Sequence, residues 1–134
     1  MPDDYPHDAP TVLVPRRVLV IDDHRDTTAS LVTLLTVAGH LACGVTSAFA
    51  AFDVLLKFDP EVCLVDLRMP LMDGFETATR LRVVLGPRVR MLAISGELRA
   101  AADPRAAAVF ERVFTKPLDV PNLLREIADA LPVD

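Results

Sequence analysis

The sequence lacks the features that mark membrane, secreted or nucleic-acid-binding chains. No apolar run approaches the roughly 18 residues of a membrane span, and the N-terminus is acidic rather than basic, so no export signal is visible. Positive charge is scarce, because 14 Lys and Arg stand against 19 Asp and Glu, which leaves a net charge of −5. This balance argues against non-specific binding to nucleic acid or to an anionic membrane.

Tryptophan is absent and only two cysteines are present. Cys43 and Cys63 each lie in an apolar run and show no CxxC spacing. We therefore predict buried free thiols in a reducing cytoplasm, without a disulfide or a thiolate metal site. A single domain of 134 residues needs neither, since it can bury about two thirds of its unfolded surface.

Short apolar runs alternate with amphipathic stretches once a proline-rich start has passed. Residues 1–15 hold four prolines and three aspartates, so we predict a flexible tail there and one folded domain over 16–134. Strands are predicted at 18–21, 41–45, 62–66, 89–94 and 113–115.

Five helical stretches follow these strands in turn. Asp26 or Thr27 is predicted to cap the first helix, which reaches Ala38, and Ser47 and Asp119 are expected to cap the second and fifth. The third covers 74–85, and the fourth covers 98–109, either as one helix or restarted at 103–104. Such alternation predicts a doubly wound, flavodoxin-like α/β domain whose five parallel strands lie in the order 2-1-3-4-5.

Polar side chains stand where the predicted strands end: Asp22 and Asp23, Asp66, Ser95 and Lys116. In the order 2-1-3-4-5, strands one and three are neighbours, so their carboxylates are expected to converge. Three buried carboxylates repel one another, and a hard cation such as Mg²⁺ would relieve the repulsion. With a hydroxyl and an ammonium added, the set predicts a site for a phosphoryl group. Taken alone, the first acid pair could equally cap a helix.

In this order and on these elements, the five residues, with Met69-Pro70, Asp73-Gly74 and Lys116-Pro117, resemble the receiver domain of two-component response regulators, the CheY-like family. The resemblance extends over residues 17–131. It implies that Asp66 is the phosphoacceptor and takes a phosphoryl group from a sensor histidine kinase or a histidine phosphotransfer protein.

The resemblance also implies a metal site. Asp23 would bind Mg²⁺ directly, and Asp22 would act mainly through a water molecule. Asp66 and the backbone carbonyl of Arg68 would complete the protein ligands. His24 follows the acid pair without a ligand-spaced partner, so we expect a solvated loop residue there.

Around the phosphoryl group, the resemblance implies that Ser95 binds a phosphoryl oxygen and that Lys116 pairs with the same group. The peptide bond before Pro117 is often cis in the family. At the position of Val113 the family usually carries a switching aromatic residue, and alternation along a strand sends the neighbouring Phe114 to the opposite face.

Two further residues are expected to flank the entrance of the site. Arg68 stands two positions after Asp66, and Glu97 stands two positions after Ser95. Our hypothesis is that Arg68 and Glu97 pair across the entrance and slow the attack of water on the acyl phosphate.

The sequence thus predicts a phosphoacceptor domain rather than a turnover enzyme, signalling through a downstream protein target without binding nucleic acid or membrane itself. Since the chain ends after the fifth helix, we expect a stand-alone receiver, although a piece of a longer regulator fits as well. An atypical receiver that binds proteins without phosphorylation is the alternative, and Val113 keeps it open. A dehalogenase-type phosphatase would need an acid where this chain has Arg68.

Overall fold

The computed structural model describes residues 14–129, in which five strands alternate with five α-helices. The strands are β1 (Arg17–Ile21), β2 (Leu41–Val45), β3 (Val62–Asp66), β4 (Arg90–Ser95) and β5 (Arg112–Thr115). The helices are α1 (Arg25–Val37), α2 (Ala48–Phe58), α3 (Gly74–Leu85), α4 (Pro104–Val109) and α5 (Val120–Ala128), with a 3₁₀ turn at Ala100–Ala102. Within this part of the chain, no helix has the length and apolarity needed to cross a membrane.

All four strand pairings are parallel, and the sheet has the order β2-β1-β3-β4-β5. The predicted fold class is therefore confirmed. The winding of the chain reverses between β1 and β3, which places the carboxyl ends of these two strands side by side at the switch point of the sheet. The predicted tail falls almost entirely on residues 1–13, which lie outside the described range.

Two apolar layers cover the two faces of the sheet, since successive side chains of a strand point in opposite directions. Leu19 and Ile21 of β1 belong to the layer under α2 and α3, whereas Val18 and Val20 belong to the layer under α1 and α5. Every residue of β3 and β4 is buried. Because each fully buried aliphatic side chain contributes about 1.5–3 kcal/mol, the two central strands anchor the site at their ends.

Side-chain caps set the starts of several helices. The Ser47 hydroxyl accepts a hydrogen bond from the amide of Ala50, and the Asp119 carboxylate accepts one from Asn122. Both predicted caps are confirmed. Asp73 does the same for α3, and this cap fixes the helix that follows β3.

The predicted start of α1 was wrong. The helix begins at Arg25 with His24 as the N-cap residue, rather than after Asp26 or Thr27. Thr28 explains the earlier start, because its amide donates to the His24 carbonyl and its hydroxyl donates to the carbonyl of Asp22. The helix is therefore tied directly to the end of β1.

The fourth helical stretch is not one continuous helix. This confirms the predicted alternative in which the helix restarts at 103–104. A 3₁₀ turn at Ala100–Ala102 precedes a six-residue helix, α4. Asp103 begins that helix by accepting a hydrogen bond from the Arg105 amide, and Pro104, which has no amide hydrogen to satisfy, occupies the first turn.

Both cysteines are free thiols, as predicted, but only one is buried. Burial raises the pKa of the Cys63 thiol, in the middle of β3, to about 12. Cys43 is half-buried, because β2 lies at the edge of the sheet and is covered less completely than β3. The expectation of burial was therefore wrong for Cys43.

Candidate functional site

The acidic residues predicted at the strand ends lie together at the switch point. Asp66 ends β3, and Asp22 follows directly after Ile21, whose register partner on β3 is Val65. Asp22 is 0% exposed and Asp66 only 3%. Two carboxylates are thus withdrawn from water side by side, and Asp23 is half-buried beside them.

The loop after β3 wraps closely around Asp66. The backbone amide of Arg68 donates to Asp66 Oδ1 over 3.2 Å, and the amide of Gly74 donates to the Leu67 carbonyl over 3.0 Å. A Cβ atom at Gly74 would lie 2.4 Å from the Asp66 carbonyl oxygen. Only glycine therefore lets α3 begin this close to the end of β3.

Lys116 brings one positive charge to the acidic pair. Its Nζ lies 3.2 Å from Asp22 Oδ2 and 3.9 Å from Asp66 Oδ2. The peptide bond between Lys116 and Pro117 is cis. A single ammonium cannot offset three neighbouring carboxylates, so the site keeps an excess of negative charge.

The pKa of Asp66 reflects this excess. Burial and then the charge of Asp22 raise the pKa of the Asp66 carboxyl to about 7, against the opposing effects of the Arg68 amide and Lys116. Both causes act because a carboxylate loses hydration and faces a like charge. A cation placed among these oxygens would stabilise the ionised form that a nucleophile requires.

The donors present fit a divalent cation. Asp22, Asp23, His24 and Asp66 each offer a ligand atom, and these atoms lie within 4.8 Å of one another. Asp23 Oδ1 is buried and accepts no hydrogen bond, as expected of an oxygen reserved for a metal ion. Carboxylate oxygens suit hard cations such as Mg²⁺. The predicted role of the Arg68 carbonyl stays a prediction.

Ser95 and Lys116 lie at the ends of β4 and β5, next to the acidic residues at the ends of β1 and β3. Ser95 ends β4 and is buried, and its Oγ accepts a hydrogen bond of 3.0 Å from the Glu97 amide. The Lys116 amide donates to the Ser95 carbonyl over 2.7 Å, which ties the loop after β5 to the end of β4. The hydroxyl, the ammonium and the carboxylates thus stand at the same carboxyl edge of the sheet.

The two predicted entrance residues contact each other. Arg68 Nη2 lies 3.2 Å from Glu97 Oε2, and both side chains are exposed. They line a groove of about 500 Å³ that continues past Met69 and Phe75 toward Arg105. The ion pair connects the loop after β3 to the loop after β4.

Val113 and Phe114 lie on opposite faces of the sheet. Val113 is half-buried and packs in the layer under α2 and α3, whereas Phe114 is buried in the layer under α1 and α5. Phe114 therefore cannot supply an aromatic side chain at the position of Val113.

His24 is the residue that sequence reasoning missed. Its side chain is 67% exposed, yet Nδ1 lies 3.3 Å from oxygens of both Asp22 and Asp23. The expected solvated loop position is confirmed, because His24 is exposed and precedes α1, but the expectation that it lacks a ligand-spaced partner was wrong, since its ring faces the acid pair. The signal available was its position directly after two acids at the predicted switch point.

This fold, with a buried aspartate beside an acidic pair, a hydroxyl and a lysine at the switch point, is that of the receiver-domain class. Residues 18–128 match the response regulator receiver domain family. The chain belongs to this family.

Two curated relatives illustrate the range of the family. The sensory/regulatory protein RpfC of Xanthomonas campestris is 32% identical over 117 residues, which cover 84% of this chain and 16% of RpfC. The chain thus spans about one sixth of the length of that relative. Sporulation initiation phosphotransferase F of Bacillus subtilis is 25% identical over 118 residues, which cover 87% of this chain and 94% of the relative.

Solved structures show the same fold. Chemotaxis protein CheY4 of Vibrio cholerae has a TM-score of 0.77 at 23% identity, covering 84% of this chain and 96% of CheY4. Response regulator TrrA of Thermotoga maritima, solved in complex with Mg²⁺ and BeF, has a TM-score of 0.75 at 18% identity, with coverage of 84% and 96%.

Proposed function

We propose that the chain accepts a phosphoryl group on Asp66, in the cytoplasm, from a sensor histidine kinase or a histidine phosphotransfer protein. The observation that supports this most is the Asp66 carboxylate, buried at the switch point between Asp22, Lys116 and the Arg68 amide. No structural role needs so costly an arrangement, because burying like charges together destabilises a fold. A phosphoryl acceptor does need it.

The residues divide the chemistry among them. An Asp66 carboxylate oxygen attacks the phosphorus of a phosphohistidine, so that a P–O bond forms while the P–N bond breaks. The electron pair of the P–N bond stays on the leaving imidazole nitrogen, which takes up a proton from solvent. Lys116 and the Ser95 hydroxyl would neutralise and orient the phosphoryl oxygens in the transition state.

Asp22, Asp23 and Asp66, with the Arg68 carbonyl, would hold Mg²⁺, whose contribution when bound is to neutralise charge on the transferring group. The complex of TrrA with Mg²⁺ and BeF supports such a pocket in this family. The chain would form and lose an acyl phosphate without turning over a substrate of its own. Output would pass to a downstream protein target, or by relay to another phosphotransfer protein.

Intact mass after incubation with acetyl phosphate and Mg²⁺ tests the proposal. We expect one phosphate adduct on the wild type, none on Asp66→Asn, and none on the wild type when EDTA replaces Mg²⁺. Glu76→Gln, which alters an exposed carboxylate on α3, is the matched control and should label like the wild type. A labelled Asp66→Asn protein, or an unlabelled wild type, would contradict the proposed acceptor.

A second candidate is a protein-binding module that works without phosphorylation. Val113 favours it, since the face of β5 toward α4 carries no aromatic ring at that position. Capture of the same partner by the wild type and by Asp66→Asn with equal affinity would support this candidate. If beryllofluoride either weakens or strengthens the binding of that partner to the wild type, phosphoryl-dependent signalling would be supported instead.

A further inference from the structure

His24 lies where a ligand of the proposed metal site would lie. It is the N-cap residue of α1, with φ −88° and ψ 113°, and its side chain makes no capping hydrogen bond. Its ring is instead directed to the acid pair, with Nδ1 3.3 Å from Asp22 Oδ1 and 3.3 Å from Asp23 Oδ1.

These separations suit ligands that share one ion. Around a cation with bonds of about 2.1 Å, adjacent ligand atoms stand about 3.0 Å apart in an octahedron and about 3.4 Å apart in a tetrahedron. The 3.3 Å from His24 Nδ1 to each acid falls between these values. The four candidate ligand atoms lie within 4.8 Å of one another, so a small contraction would bring them all to one ion.

A hydrogen bond from the ring accounts for only one of the two contacts, because Nδ1 is hydrogen-bonded to Asp22 Oδ1 over 3.3 Å whereas Asp23 Oδ1 has no hydrogen bond. Asp22 already accepts the His24 amide on Oδ1 over 2.9 Å and the Lys116 ammonium on Oδ2 over 3.2 Å. Asp23 Oδ1 is the buried oxygen that lacks a hydrogen bond, although the ring nitrogen is 3.3 Å away. A cation between Nδ1 and both carboxylates would account for the orphaned oxygen and for the equal distances.

We infer that His24 Nδ1 is a ligand of the metal site and shifts its preference from Mg²⁺ toward divalent transition metals. The inference rests on the proposed function, because it concerns the same pocket. Imidazole binds cations such as Co²⁺ and Ni²⁺ more readily than Mg²⁺, which prefers carboxylate oxygen and water. Removing the imidazole should therefore reduce transition-metal binding and leave Mg²⁺ binding to the carboxylates.

Calorimetric titration of the full chain with Co²⁺ and with Mg²⁺ at neutral pH tests this, using the wild type, His24→Ala and His24→Asn. Asn keeps a favoured N-cap residue at the start of α1, so that variant guards against a folding defect. We expect both substitutions to weaken Co²⁺ binding by about tenfold or more while Mg²⁺ affinity changes little. The Co²⁺ protein should also show a hyperfine-shifted imidazole N–H proton resonance that both variants lack.

Unchanged Co²⁺ affinity, or equal losses for both cations, would overturn the inference. Asp23→Asn separates this failure from that of the proposed function, since it should weaken both cations. If both cations bind in an Asp23-dependent manner whatever residue stands at position 24, only the inference fails. If the wild type binds neither cation, the proposed metal site fails and the inference fails with it.

Discussion

Buried charge is neutralised by oppositely charged partners at the amino end of the central strands, but not at their carboxyl end. At the amino end of β4, the buried Arg90 pairs with Glu111 over 2.9 Å and with Glu126 over 2.6 Å. Burial works against that charge, but the two glutamates raise the pKa of Arg90 above its ordinary value. At the carboxyl end, Asp66 faces another buried carboxylate and its pKa is raised to about 7, toward the neutral form.

This difference in charge compensation assigns a stabilising role to the amino end of the sheet and a functional role to its carboxyl end. Compensated charge at the amino end holds α5 and β5 in place, since Arg90 also donates to the Glu126 carbonyl and Arg112 shares the Glu126 carboxylate. Uncompensated charge at the carboxyl end costs stability, and under the proposed function it would accept a cation and a phosphoryl group. Substitutions at either end should therefore separate the two roles.

The largest effect is expected from Arg90→Met. Removal of the guanidinium leaves the mostly buried Glu126 without its main partner, which typically costs about 3 kcal/mol of unfolding free energy. Arg112→Met is the matched control, and because Arg112 is exposed it should cost less than about 1 kcal/mol. Urea unfolding of both variants measures the difference, and equal losses would refute the account of the amino end.

Gly74→Ala should cost about 2 kcal/mol, since the added Cβ has to move backbone rather than a flexible side chain. The same shift displaces the end of β3, so labelling of Asp66 by acetyl phosphate should fall sharply. Gly96→Ala is the control, because a Cβ there meets nothing within 4 Å. If Gly74→Ala leaves both stability and labelling intact, α3 does not position the acceptor.

Asp66→Asn should stabilise the metal-free protein. The raised folded-state pKa means that the native state holds a proton which the unfolded chain has lost, so wild-type stability falls as pH rises from about 4 to about 7. The variant should escape this loss and gain about 1 kcal/mol above neutral pH, reduced by solvent screening at the mouth of the site. Denaturant unfolding in EDTA across this range measures the gain. Asp53→Asn, at an exposed position on α2, should show none.

His40, at the amino end, should show the opposite pH dependence. It is buried, and Nδ1 accepts the Arg16 amide over 3.0 Å. Burial and then the charge of Arg16 lower the pKa of His40, against a weaker effect of Glu61. The unfolded chain therefore binds a proton first, and stability should fall as pH drops through about 6.5. His40→Asn offers an oxygen acceptor in place of Nδ1, so its unfolding free energy should lose this slope.

The smallest effect on stability is expected at the entrance of the site. Arg68→Gln and Glu97→Gln each break an exposed ion pair, so the unfolding free energy should change by less than about 0.5 kcal/mol. The lifetime of the phosphoprotein should nevertheless shorten severalfold in both, because the pair would no longer hinder water. Arg80→Gln, which breaks an exposed pair on α3, should leave the lifetime unchanged. Unchanged lifetimes in the entrance variants would eliminate the shielding role.

Local patterns predicted most of the fold because strands and helices follow from apolar periodicity and from caps such as Ser47 and Asp119. The strand order and the position of Asp66 followed from general rules for parallel sheets. The start of α1 was missed because the Thr28 hydroxyl bonds across the turn to the Asp22 carbonyl, a contact that no periodicity reveals. The orientation of the His24 ring toward the acid pair also depends on where α1 begins.

By itself, the sequence determined the order of elements and which polar residues end the strands, since both depend on neighbours within a few positions. Only the tertiary structure decided whether each buried charge is compensated by a partner of opposite charge. Glu126 meets Arg90 across 36 positions of sequence, and Lys116 meets Asp22 across 94. Whether a buried charge is compensated depends on the groups that folding brings within a few ångströms, because charges interact through space rather than along the chain.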